Sequence, residues 1–106
     1  MTREEDRVVL VTGGAKRVGA AIVKRLHLEG WRVAIHYRAS EAQANELSGA
    51  LNALRHNSAC AFSADLNDVS ALPTLVASVV EKFGQLDALV NNASTFYPTA
   101  VGDITI

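Results

Sequence analysis

The chain has 106 residues, 49% of them hydrophobic and 20% charged, with a net charge of −1. This is the make-up of one soluble globular domain; it excludes disordered, fibrous and disulfide-stapled chains and argues against a dedicated nucleic-acid binder. The charged opening stretch, the lack of any apolar run near the ~20 residues of a membrane span, and the single Cys60 together read as a cytoplasmic protein with no signal peptide and no membrane partner.

The charges are unevenly spread. Residues 1–40 hold eight Lys or Arg against four acids, a net +4 that leaves −5 for the rest. Scatter over solvated faces explains such a split as readily as an anion site does. The placing of Lys16, Arg17 and Arg38 decides between them.

Along the chain, strand and helix patterns alternate. Val8-Val9-Leu10-Val11 is a short, β-branched apolar run stopped by Gly13-Gly14, the pattern of a strand buried on both faces. From Arg17 to Glu29, Val18, Ile22 and Leu26 recur four apart beside Ala21, predicting a helix with one apolar stripe and Gly30 as its cap. Arg32 to Tyr37 is a second strand, and Glu41 to Arg55 a second helix with Leu47, Leu51 and Leu54 on one side. Ala59 to Phe62 is a third, weaker strand. Val69, Leu72, Val76, Val79, Val80 and Phe83 mark a third helix ended by Gly84. Pro73 lies inside that pattern, either near the true start of the helix or at a bend in its first turn. Leu86 to Val90 is a fourth strand, running into Asn91-Asn92-Ala93, and no helix is legible from Thr99 to Ile106.

Strands and helices joined by short links imply right-handed βαβ units and a parallel sheet covered on both faces. The expected fold class is therefore α/β: a Rossmann-like, doubly wound parallel sheet, of which four strands and three helices form the first half. Residues 1–106 read as one nucleotide-binding half-domain, with the catalytic portion absent.

The turn Val11-Thr12-Gly13-Gly14-Ala15-Lys16-Arg17-Val18-Gly19 separates the first strand from the first helix. A glycine-rich turn there lets backbone approach a pyrophosphate, and the helix offers it free N–H groups and a positive dipole end. Gly13 suits the tight turn and Gly19 a close helix–strand contact, while Arg17 stands where a middle glycine is usual. After the second strand, an NAD site wants an acid for the adenosine ribose. Residues 33–40 contain none; His36, Tyr37, Arg38 and Ser40 offer donors and positive charge instead, with Arg17 across the cleft. That favours the 2′-phosphate of NADP(H). An ordinary surface arginine and a satisfied strand-end histidine are the plainer readings of Arg38 and His36.

Thr12-Gly13-x-x-x-Arg17-x-Gly19, Asp65-Leu66 and Asn91-Asn92-Ala93, in this order, resemble the short-chain dehydrogenase/reductase superfamily over residues 7–97. More finely, Lys16-Arg17, the His36-Tyr37-Arg38-Ala39-Ser40 segment and Ser94-Thr95-Phe96-Tyr97-Pro98 are similar to the pteridine reductases. The register of Arg38, directly after Tyr37, departs from some relatives. The resemblance implies cofactor contacts from Gly13, Lys16, Arg17, Val18, Gly19, His36, Tyr37, Arg38, Ser40, Asp65, Leu66, Asn91, Ala93 and Ser94. Asp65 would meet the adenine amino group, and a helix cap is its alternative role. It also implies a pteridine-like substrate held by Arg17, Ser94 and Phe96, the last as an aromatic lid or else a hydrophobic anchor for its loop. Such enzymes transfer hydride from NADPH, are commonly homotetramers, and protonate through a tyrosine four residues before a lysine.

That pair is missing here: Glu41 lies four beyond Tyr37 and Val101 four beyond Tyr97. No catalytic residue is assigned. The expectation is a fragment of a longer NADPH-dependent reductase, inactive and marginally stable alone. A reductase of another carbonyl, such as a sugar or acyl thioester, and a non-catalytic NADP(H)-binding module are the alternatives.

Overall fold

A computed structural model describes residues 7–92. The elements are β1 (Val8–Thr12), α1 (Arg17–Leu28), β2 (Arg32–Tyr37), α2 (Glu41–Leu54), β3 (Ala59–Ser63), α3 (Ala71–Phe83) and β4 (Ala88–Asn91). The four strands form one parallel sheet in the order β3-β2-β1-β4. The expected α/β, Rossmann-like half is what the chain adopts. No described helix is long and apolar enough to cross a membrane.

Every residue of β1 is buried, because the strand lies between two neighbours and under helices on both faces. The two-residue period of a strand sends Val9 and Val11 to one face, where they pack with Val33, Ile35, Val23, Ala44, Leu47 and Leu51 beneath α1 and α2. Val8 and Leu10 go to the other, with Ala34, Leu89, Leu75, Val79 and Phe83 beneath α3. Strands are added outward to β3, and the chain then crosses back to place β4 on the far side of β1. That reversal puts α3 opposite α1 and α2 and opens a crevice at the carboxyl ends of β1 and β2.

The helices are where expected, and their buried faces agree in part: Leu47 and Leu51 of α2 and Val79 and Phe83 of α3 are buried, while α1 differs. In α1, Gly19, Val23 and His27 are buried, whereas Val18 is 65% exposed. The helix is turned by about one residue from the stripe of Val18, Ile22 and Leu26. Gly19 allows that turn by bringing α1 close to β1, and Ser58 allows it by receiving the His27 ring at 2.7 Å. The helix ends in a Schellman motif: Gly30 N–H donates to the His27 carbonyl and Trp31 N–H to that of Leu26. In α2, Leu54 is 78% exposed rather than packed beside Leu51, since the chain leaves the sheet surface there to enter β3. Val69 is 91% exposed and precedes α3, whose N-cap is Ser70. Pro73 therefore falls in the first turn, where its missing N–H leaves no helical bond unmade.

β4 begins at Ala88, not Leu86, because Asp87 is used differently. Its backbone N–H donates to the Val8 carbonyl, and its carboxylate accepts the Val8 N–H at 2.8 Å. The Val8 N–H is the largest cause that holds the Asp87 carboxyl below the ordinary carboxylate range.

Two neighbouring leucines separate the observed packing from the sequence pattern. Leu51→Ala is expected to cost about 2–5 kcal/mol, and Leu54→Ala less than about 0.5 kcal/mol. Urea unfolding midpoints of the two variants check this.

Candidate functional site

The crevice is a groove of about 590 Å³ lined by Gly13, Ala15, Lys16, Arg17, Val18, Gly19, His36, Tyr37, Arg38, Ala39, Ser40 and Asn92. Its floor is the turn after β1. Gly13 has φ 63°, a left-handed conformation that glycine adopts without steric cost. Gly14 N–H donates to the His36 carbonyl at 2.9 Å, and Gly14 has room for no more, since a β-carbon there would lie 3.0 Å from the Val11 carbonyl oxygen and 3.0 Å from the Val23 side chain. Gly19 is tighter still: its β-carbon would stand 2.0 Å from the Gly13 carbonyl oxygen and 2.7 Å from Nδ2 of Asn92.

Arg17 also has a positive φ, 54°, at the position where a glycine is common. For a residue with a β-carbon this costs roughly 1–2 kcal/mol, so the guanidinium is retained against backbone strain. Lys16 is the N-cap of α1, makes no side-chain cap bond, and the first turn carries no acid. The helix dipole and two exposed cations thus leave the start of α1 electropositive. Ser40 stands likewise at the N-cap of α2 with no side-chain cap bond, and Arg38 lies between the two helix starts. No carboxylate is among the lining residues. The nearest partner for Arg38 is Asp65, 3.6 Å away with both side chains about half exposed. Such a surface pair contributes little and leaves the guanidinium available to an anion.

His36 does not supply positive charge, contrary to the sequence expectation. It is 3% exposed; Nδ1 accepts the Gly13 N–H at 2.9 Å, and Nε2 lies 2.9 Å from the Ala64 carbonyl. A carbonyl only accepts, so Nε2 carries the proton and the ring is neutral. Burial pushes its pKa below the ordinary 6.5, partly offset by the bond to Ala64.

The other expected site residues divide. Asp65 is not the cap of α3: its carboxylate accepts the Asn67 N–H, and Ser70 has that place. Leu66 turns its side chain into the core under α3, which leaves only its backbone for a ligand. Asn91 is turned toward β1, accepting from the Thr12 hydroxyl at 3.2 Å. Asn92, part of the Asn91-Asn92-Ala93 motif but not among the expected cofactor contacts, lines the groove instead, donating its backbone N–H to Thr12 Oγ1 and its amide to the Gly13 carbonyl. The doubled asparagine after a buried strand was the available signal; which of the two faces the turn depends on the β4 register. Ala93, Ser94 and Phe96 lie outside the described residues. Among those described, no cluster suited to a metal occurs.

The described site can hold a phosphorylated ligand along the glycine turn, between two helix starts and three cations. Comparison with known proteins agrees with that geometry. The family model described as short chain dehydrogenase matches residues 7–105. The chain is 43% identical to pteridine reductase 1 of Leishmania tarentolae, over 87% of this chain and 38% of that protein. It is 40% identical to a hydroxynaphthalene reductase of Aspergillus fumigatus, over 82% and 32%, and 33% identical to a sorbitol dehydrogenase of Cereibacter sphaeroides, over 97% and 38%. The chain thus spans about two-fifths or less of these curated relatives' length.

Two outcomes are expected from this geometry. Gly19→Ala forces the turn and α1 apart, lowering stability by about 1–3 kcal/mol or more, read as a fall in the urea midpoint. Acid acts through His36 and His27, both held below 6.5 by burial, with the Arg55 charge adding at His27. The unfolded chain then binds the extra protons first, so stability falls as pH drops below 6.5 toward the folded values and levels off beneath them. A midpoint that rises on acidification through that window would contradict the neutral rings.

Proposed function

The chain belongs to the short-chain dehydrogenase family, and on that premise we propose that residues 1–106 are the NADP(H)-binding half-domain of a reductase. The observation that carries the reading is the groove itself: Lys16, Arg17 and Arg38 around two helix starts, with no carboxylate among the lining residues. A diphosphate fits along Gly13 and the start of α1, which Gly19 lets pack close against the turn. The 2′-phosphate fits between Arg38, Ser40 and Arg17, where NAD-specific sites need an acid instead. Tyr37 and Val18 contribute walls, Asp65 and the Leu66 backbone the adenine end, and Asn92 fixes the Gly13 carbonyl. Asn91 acts through Thr12 rather than by contact. When bound, the cofactor supplies hydride; this half of the protein binds and orients it.

For the whole protein we propose reduction of a pteridine-like substrate. Support comes from the 43% identity to a protein named pteridine reductase, from the Lys16-Arg17 pair, and from Ser94 and Phe96 in the sequence, which would hydrogen-bond and stack on a flat heteroaromatic ring. Reduction of another carbonyl compound is the second reading, favoured by the hydroxynaphthalene reductase and sorbitol dehydrogenase relatives.

Calorimetric titration with NADPH and NADH tests the cofactor, using the protein that contains this chain. NADPH should bind the more tightly. Arg38→Ala should weaken NADPH by roughly tenfold or more, the loss of a charge-assisted hydrogen bond, and leave NADH nearly unchanged. Equal binding of the two nucleotides, or equal losses in the variant, would refute the NADP(H) assignment.

A further inference from the structure

The ring of His36 is clamped from two sides of the sheet's carboxyl end. Its backbone carbonyl takes the Gly14 N–H at 2.9 Å, and its Nδ1 the Gly13 N–H at 2.9 Å. Nε2 donates to the Ala64 carbonyl at 2.9 Å, just before Asp65 and Leu66. One side chain therefore joins the turn after β1 to the end of β3, across β2. Among the described contacts, the amide of Asn92 gives the turn its other tether, from β4 to the Gly13 carbonyl at 3.2 Å. Gly13 is thus held at its N–H by β2 and at its carbonyl by β4, and its left-handed φ is fixed between them.

Only a neutral ring can do this. Protonated Nδ1 carries a hydrogen and cannot accept from Gly13 N–H, so the turn would meet two donors face to face. The charged groups lining the groove beside the ring are Lys16 and Arg17 after β1 and Arg38 after β2, with Asp65 after β3 lying 3.6 Å from Arg38. Burial of the imidazole disfavours its charged form, partly offset by the bond to Ala64.

We propose that His36 is a positioning residue for nucleotide binding: its uncharged ring spans Gly13 and Ala64, holding the phosphate-facing turn in register with the segment leading to Asp65, so protonating it weakens binding even though it adds positive charge to the groove. This rests on the cofactor reading above and makes the opposite pH dependence from a histidine that contacts phosphate as a cation. It also gives the residue a role at the glycine turn and the Ala64 segment together, which no direct phosphate contact would.

His36→Gln tests it, because the amide offers one acceptor and one donor but does not titrate. NADPH dissociation constants are measured for the full-length protein and this variant between about pH 5 and pH 8, the range in which histidine changes charge. The titration of the 2′-phosphate itself cancels in the ratio of the two. Whatever constant loss the substitution brings at the alkaline end, the wild type is expected to weaken relative to the variant by a further about threefold to tenfold at the acid end, the worth of one hydrogen bond. Unfolding midpoints taken at each pH ensure that folded protein is compared. A constant ratio, or a wild type that gains on acidification relative to the variant, overturns the proposal while leaving NADPH binding intact. Failure of the wild type to bind NADPH at neutral pH overturns the cofactor reading and this proposal with it. Should the variant not fold, long-range proton–nitrogen spectra of the wild type decide: the neutral Nε2–H form at neutral pH is expected, and an Nδ1–H form or an imidazolium refutes it.

Discussion

Helix α1 begins so close to the turn after β1 that residue 19 has no space for a side chain: a β-carbon would lie 2.0 Å from the Gly13 carbonyl oxygen. That contact sets the azimuth of the whole helix. With Gly19 facing the turn, Val23 and His27 follow it inward at helical spacing, and Val18 is carried out into the groove. The packing of the helix and the shape of the groove at its start both depend on the same missing methyl group.

Around this contact the sheet supplies rigidity. β1 is paired on both edges and covered on both faces, so the turn that leaves it starts from a fixed point. Thr12 extends that order past the strand, accepting the Asn92 N–H at 2.8 Å and directing its hydroxyl toward Asn91. His36 continues it on the other side. The glycines provide the conformation the turn needs, and their neighbours remove the freedom that glycine brings with it.

Much of this was legible in the residues. Continuous β-branched runs announced the buried strands, Gly30 and Gly84 the helix ends, and the strand–helix alternation the sheet. What misled was periodicity taken alone. Val18, Ile22 and Leu26 form a convincing stripe, but a glycine and a histidine occupy the buried face, and neither counts as apolar in a pattern. His27 is acceptable inside only because Ser58, thirty-one residues on, receives its ring. Leu54 and Val69 extend their stripes past the ends of the sheet they would pack on. At the site, the cations and glycines could be found from spacing. The neutral state of His36 could not, because it depends on Ala64 just beyond another strand, nor could the choice between Asn91 and Asn92, which depends on the register of β4.

The sheet ladder between β2 and β3 ends at Tyr37 and Ser63, and the groove's outer wall, Arg38 and Ala39, lies beyond it with both residues exposed. The frame and the residues that would discriminate between nucleotides are therefore mechanically separate. Substitutions in this short rim burden neither core nor ladder, so charges can be traded there while the fold beneath stays unchanged. The turn after β1 has no such latitude, being held at once by His36 of β2 and by Asn92 just beyond β4.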